Sequence, residues 1–282
     1  MARKDNDRKD NERTGEKKWG LYAKSKLPAS DYVINPYVGC LHGCAYCYAC
    51  FMGRFNGHKE PWGTYAEPKE YASMKLPREQ KGKTILVGSV TDAYNPAERR
   101  HQKMPGILEA LQGYGGHVEI LTKSKLILRD VELLRQIPDL SVGVSLAFCS
   151  ERDVKIWEPR ASGVSERLDT LRTLHENGIG TYLFVAPYFP GLTDLARLMA
   201  WTEGMVDRVC VENLNLRGGY KARVLELIRR QYPDLLPLYG QVYEKGGGAG
   251  YWKGVEEELE KRNKETKKPV ISYLYHEKIK KQ

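Results

Sequence analysis

Apolar positions in this chain fall into short dense runs separated by longer amphipathic stretches. Six runs read as strands: Tyr32–Asn35, Thr84–Gly88, His117–Leu121, Ser141–Leu146, Thr181–Val185 and Arg208–Glu212. Each is rich in Val, Ile, Leu or Tyr and is bounded by turn residues. Between them the apolar spacing becomes helical. Pro105 opens a turn carrying Ile107, Leu108 and Leu111, stopped near Gly113. Leu168, Leu171 and Leu174 form a second stripe that ends at Gly178, and Leu133 and Leu134 belong to a third. Strands alternating with helices predict a parallel sheet in an α/β fold.

The two ends break this rhythm. Residues 1–18 are almost wholly polar and read as a disordered basic tail. Residues 19–215 carry the alternating pattern, and residues 216–282 form a C-terminal extension of different character. There Gly218-Gly219 and the run Gly246-Gly247-Gly248-Ala249-Gly250 predict flexible or tightly turning backbone. The second run, followed by Tyr251-Trp252, suits a lid, a substrate-binding loop or a plain connection. Glu256–Asn263 reads as a charged helix and Val270–Tyr275 as a short edge strand.

Composition narrows the class. A length of 282 residues suits one barrel-sized domain with an appendage. Hydrophobic content of 41% is enough for a core. No apolar run reaches the roughly 18 residues a membrane span needs. The polar N-terminus lacks the apolar stretch of a secretory signal, so a cytoplasmic protein is expected. Net charge is +9. Residues 1–28 hold nine Lys and Arg against five Asp and Glu, and residues 253–282 hold nine against six. That balance favours anionic partners such as nucleic acid. Interleaved acids also suit ends that are simply solvated.

Of six cysteines, four lie between positions 40 and 50, which is not a disulfide framework and fits a reducing compartment. Cys40, Cys44 and Cys47 stand in a C-x3-C-x2-C spacing. Three thiolates so close can hold three irons of a [4Fe–4S] cluster and leave the fourth open to a small molecule. Gly39 and Gly43 let the backbone fold around such a group. Zinc is the alternative: Cys47 and Cys50 form another C-x2-C, and His42 is a further donor. Structural zinc usually takes four ligands, often as two separated pairs. No second pair lies downstream, where Cys149 and Cys210 stand alone. A zinc-stabilised nucleic-acid-binding protein is therefore the competing class.

The cysteine loop resembles the signature of the radical S-adenosylmethionine (radical SAM) superfamily. Asn35-Pro36-Tyr37 before it and Tyr46-Cys47-Tyr48-Ala49 within it resemble the spore photoproduct lyase-like group. The resemblance continues through Gly88-Ser89-Val90-Thr91-Asp92, Leu121-Thr122-Lys123-Ser124, Glu158-Pro159-Arg160, Ala186-Pro187 and Pro190-Gly191, and covers roughly residues 33–212. It implies a partial (β/α)6 TIM-type barrel holding a [4Fe–4S] cluster and S-adenosyl-L-methionine. It also implies a 5′-deoxyadenosyl radical that takes hydrogen from a substrate, and an electron donor such as flavodoxin or ferredoxin. A monomer or weak dimer is expected. Every motif falls at or just after an expected strand end, where such barrels carry their chemistry.

The resemblance also assigns roles. Cys40, Cys44 and Cys47 are the iron ligands, and Tyr46 lies against the adenine. Thr91 and Asp92 accept hydrogen bonds from the methionine ammonium, and Lys123 meets its carboxylate as a point charge. Ser145 bonds a ribose or carboxylate oxygen, and Ala186 lets backbone approach the adenine. Arg160 can clamp a carboxylate or phosphate, or pair with Glu158. Ser89 stands where the lyase has its hydrogen-donating cysteine, so thymine-dimer repair is not expected. Cys149, Cys50 or a tyrosine such as Tyr48 can substitute as donor; otherwise each is structural. A nucleic acid or nucleotide substrate follows from the resemblance and the charge. A peptide or small metabolite stays open, as does transfer of a 3-amino-3-carboxypropyl group.

Overall fold

The structure is a computed structural model that describes residues 18–266 and 268–274. The expected polar tail, up to residue 17, and Tyr275 lie outside the described residues. All six expected strands form: β1 (Tyr32–Ile34), β2 (Thr84–Val87), β3 (His117–Thr122), β4 (Leu140–Ser145), β5 (Gly180–Tyr188) and β6 (Arg208–Asn213). They lie side by side in chain order and run parallel. The expected edge strand appears as β7 (Val270–Ser272), parallel to β6 with Val209 opposite Val270. At the far edge Ala23–Lys24 pairs antiparallel with β1. The described residues thus make an eight-stranded sheet, a partial (β/α)6 barrel extended by one strand at each edge.

The alternation of side chains decides which face is covered. In β3, Val118, Ile120 and Thr122 are buried while the residues between them are half-buried. Helix α1 (Lys103–Leu111) seals with Met104, Ile107, Leu108 and Leu111, and α4 (Val164–Glu176) with Leu171 and Leu174. Their helical spacing matches the pattern read from the sequence. Between them lie the single turn α2 (Val131–Leu134) and α3 (Glu151–Trp157). Across β3 to β6 runs a polar belt. Arg208 donates to Glu119 at 2.7 Å and to Ser141 at 3.4 Å, and stacks 4.1 Å over Tyr182. A Cβ at Gly143 would lie 2.2 Å from the Tyr182 ring, so this crossing requires glycine.

The glycine run of the extension turns tightly at Gly246, with φ 78°, and then opens a helix. After α5 (Leu195–Trp201), α6 (Lys221–Gln231) and α7 (Leu236–Tyr243), residues Gly248–Glu265 form an 18-residue helix, α8. Buried Trp252 and Leu259 anchor it. A Cβ on Gly247 or Gly248 would sit 2.8 Å or 2.7 Å from the carbonyls of Gln241 and Val242. Close packing of α8 against the end of α7 outweighs the poor helix propensity of glycine.

Candidate active site

The cysteine loop lies between β1 and β2. Its entry strand Tyr37–Gly39 pairs antiparallel with Ala66–Pro68. Gly39 and Gly43 have φ of 89° and 68°, a region that side chains rarely enter. Space also forbids a Cβ, which would lie 2.5 Å from the Tyr65 carbonyl and 2.6 Å from Arg160, respectively. The loop is held from three directions. Ala45 N–H donates to the Trp157 carbonyl at 2.8 Å, and Arg223 of α6 donates to the Ala45 carbonyl at 2.7 Å. Arg160 donates to the carbonyls of Leu41 and Gly63. Thus the expected anion clamp spends its guanidinium on the backbone around the cysteines. It does not pair with Glu158, whose recorded partners are Tyr46 and Arg167.

Cys40, Cys44 and Cys47 are free thiols. Burial pushes Cys44 well above its ordinary range, with the negative charge of Glu158 adding to it. Burial and then Cys40 push Cys47 up to about 11. Trp62 Nε1 donates to Cys47 Sγ at 3.2 Å. Burial opposes ionisation of Cys40 as well, but the hydrogen bond and charge of His42 bring it below its usual value. His42 is buried, with Nδ1 3.3 Å from Asp92 Oδ2, an ion-pair distance without good hydrogen-bond alignment.

The strand ends converge on this loop. Thr91 donates to the Gly39 carbonyl at 2.6 Å. Asp92 Oδ1 accepts from Tyr94 N–H and Thr122 Oγ1, each at 2.8 Å, and Oδ2 accepts from Lys123 N–H at 2.7 Å. Both of its oxygens are therefore engaged within the protein. Burial opposes the charge on Asp92, yet His42 and these donors hold its carboxyl below the usual range. Lys123 Nζ donates to Ser145 Oγ at 2.7 Å, and Ser145 Oγ donates to the Ala186 carbonyl at 3.2 Å. The same ammonium lies 5.9 Å from the centre of the Tyr46 ring. All six expected cofactor contacts, Tyr46, Thr91, Asp92, Lys123, Ser145 and Ala186, thus share one neighbourhood with the cysteines.

One network was missed in the sequence. Tyr46 donates to Glu158 Oε1, and Arg167 donates to Glu158 Oε2. Arg167 also donates to the Ser145 carbonyl at 2.8 Å and to the Ser162 carbonyl at 2.7 Å. Tyr46, Glu158 and Arg167 are all buried. Burial alone would raise the Glu158 carboxyl, but Arg167 and then Lys123 hold it below its ordinary value. The available signal was position: Arg167 occupies a step of the Val164, Leu171, Leu174 stripe, where only a paired charge tolerates burial.

Of the remaining sites, Cys149 lies apart and Tyr48 stays beside the cysteine loop. Cys149 follows β4, but its recorded neighbours are Asp194, Arg197 and Asp153, not the cysteine loop. Burial and then Asp194 push its thiol up to about 11. Tyr48 is half-exposed and donates to the Ser89 carbonyl. Ser89 Oγ accepts from Asn35 Nδ2 at 2.9 Å, and Asn35 Oδ1 accepts from Val90 N–H at 3.0 Å. The Asn35-Pro36-Tyr37 motif therefore braces the turn after β2.

The model of the radical SAM superfamily matches residues 34–200, more than half of the chain. The chain belongs to that superfamily of enzymes. An uncharacterised protein of Methanocaldococcus jannaschii is 33% identical over 74% of this chain and 80% of its own length. An uncharacterised protein of Mycobacterium bovis is 32% identical over 76% and 68%. A radical SAM Nα-GlyT isomerase of Pseudomonas phage M6 is 27% identical over 57% of this chain and 34% of its own. Among solved structures, spore photoproduct lyase complexed with dinucleoside spore photoproduct aligns with a TM-score of 0.54 at 19% identity. That match covers 78% of this chain and 65% of the lyase. Streptococcus suis SuiB bound to S-adenosylmethionine aligns with a TM-score of 0.53 at 15% identity, over 85% and 49%. The fold is thus shared with spore photoproduct lyase. No helix among the described residues is long and apolar enough to cross a membrane.

Proposed function

We propose that Cys40, Cys44 and Cys47 hold a [4Fe–4S] cluster, that the adjoining strand ends bind S-adenosylmethionine, and that the substrate is a nucleic acid or nucleotide. Among the described residues no three His, Cys, Asp or Glu side chains gather at single-ion spacing. The fit is therefore judged on donor chemistry. Three free thiols in one glycine-turned loop, one of them facing the Trp62 N–H, suit a cluster with an open iron. When bound, the cluster supplies the electron that splits the sulfonium of S-adenosylmethionine and yields a 5′-deoxyadenosyl radical.

The single observation that carries this reading is the chain from Tyr46 through Lys123 and Ser145 to the Ala186 carbonyl beside the loop. Lys123 offers a cation to the methionine carboxylate, and Ser145 a hydroxyl. Tyr46, held by Glu158, offers a fixed ring to the adenine. Thr91 and Asp92 stand beside them. Asp92 orients Lys123 through its backbone and keeps only leftover acceptor capacity for the ammonium. Arg160 positions the loop. Cys149 and Tyr48 are not assigned to hydrogen transfer. The nucleic-acid reading is supported by the net charge of +9 and by the dinucleoside photoproduct that the lyase structure holds.

Anaerobic reconstitution tests the proposal. The expected result is a brown protein with about four irons per chain that, once reduced, converts S-adenosylmethionine to methionine and 5′-deoxyadenosine. Colourless protein with one zinc would overturn it. Methylthioadenosine as the product would instead indicate aminocarboxypropyl transfer. Ser89 in place of the lyase cysteine predicts deoxyadenosine formed in step with product. Efficient repair of a thymine dimer would contradict that.

A further inference from the structure

Four large apolar side chains are exposed among the described residues, and Tyr48, Phe51 and Phe55 lie within one eight-residue stretch. Their exposures are 49%, 40% and 72%. They sit on the 3-10 turn Tyr48–Met52 and the helical turn Gly53–Asn56, directly after Cys47. The spacing i, i+3, i+7 sets them in one stripe along a helix. Such a stripe ordinarily packs on a core; here Phe51 and Phe55 face solvent, while the Tyr48 hydroxyl turns in toward Cys47 and Glu212. The rings of Tyr48 and Phe51 lie 6.4 Å apart at 28°. Tyr48 is also tied to the Ser89 carbonyl, so the stripe runs outward from the strand-end site.

The chemistry of the stripe identifies its occupant. Its apolar groups are flat rings rather than aliphatic chains, and exposed Arg54 and Lys59 flank them. The nearby acids Glu60 and Glu67 each lie 3.2 Å from His58. Rings that accept bases, beside cations that meet phosphates, are what single strands require. We propose that Tyr48, Phe51 and Phe55 form a stacking platform that holds unpaired bases of a single-stranded or locally opened nucleic acid beside the cysteine loop. The proposal rests on the nucleic-acid reading of the substrate.

The test is fluorescence anisotropy of a fluorescein-labelled oligothymidylate of about a dozen nucleotides, with the reconstituted full chain across a salt series. The F51A/F55A double variant is expected to bind about tenfold more weakly or worse, with an unchanged slope of log affinity against log salt. R54Q/K59Q is expected to flatten that slope. F51W/F55W is expected to keep affinity and to lose tryptophan emission when the oligonucleotide binds. Unaltered melting and visible absorbance establish that the variants are folded and loaded. If the parent binds and F51A/F55A binds equally well, the platform is wrong while the nucleic-acid reading stands. If F51A/F55A changes only the oligomeric state, the stripe is a self-association face and the proposal fails. If the parent binds neither single strands, duplex DNA nor RNA, both readings fall.

Discussion

Tyr46 and Tyr48 flank the same cysteine and live in opposite surroundings. Tyr46 is 8% exposed, with its hydroxyl on a buried glutamate and its ring edge-on to Phe189 at 5.3 Å. Tyr48 has a ring that is 49% exposed, while its hydroxyl is tied to a backbone carbonyl near Cys47 and Glu212. Cys47 between them is extended, at φ −61° and ψ 113°, so consecutive side chains point apart. The inward ring is built into a charge network that fixes its place. The outward ring opens a solvent-facing aromatic stripe. One loop thus serves as scaffold on one side and as contact surface on the other.

The largest expected effect removes what both sides surround. Replacing Cys40, Cys44 or Cys47 by Ala should abolish iron binding and cleavage of S-adenosylmethionine, whereas Cys50→Ala should keep the iron. Equal iron loss in Cys50→Ala and Cys44→Ala would rule out a three-ligand site.

Next comes the inward network. Arg167→Met leaves the buried Glu158 carboxylate without its ion-pair partner, and urea unfolding should show a loss of about 3–5 kcal/mol. The double variant E158Q/R167M should recover part of it. A single-variant cost below about 1 kcal/mol would mean that Tyr46 is placed by packing alone.

Smaller again is the cofactor contact. Lys123→Ala should weaken S-adenosylmethionine binding by about 1–3 kcal/mol, the usual cost of deleting a charge-assisted partner. Calorimetry on the iron-loaded protein measures this, and unchanged affinity would remove Lys123 from the site. The smallest effect belongs to the outward side. Tyr48→Phe and Phe55→Ala should each change stability by less than about 1 kcal/mol, because exposed positions carry little packing. A cost equal to that of Arg167→Met would erase the contrast between the two faces.

Much of the fold is legible in the sequence. The six strands were readable because dense apolar runs and bounding turns are local properties, and each strand end lies within three residues of its expected place. The cysteine spacing and Lys123 were readable for the same reason: a motif carries its chemistry within a few residues. The glycine run was half legible: Gly246 turns as its residue type predicts, but that Gly248 opens a helix depends on its close contact with Val242 and on anchorage by Trp252. The partners of Arg160 were not legible, because the carbonyls of Leu41 and Gly63 lie about a hundred residues away.

By itself the sequence determined the order of strands and helices, the three-thiol loop and the set of residues at the strand ends. Hydrophobic period, turn chemistry and ligand spacing are all written at short range. Only the tertiary structure decided that Arg167 is the partner of Glu158, that Asp92 is enclosed by its own neighbours, and that the Tyr48–Phe55 stripe is left uncovered. A helical stripe carries the same pattern whether or not another element packs on it. A buried charge reveals its partner only when the chain has folded back to supply one.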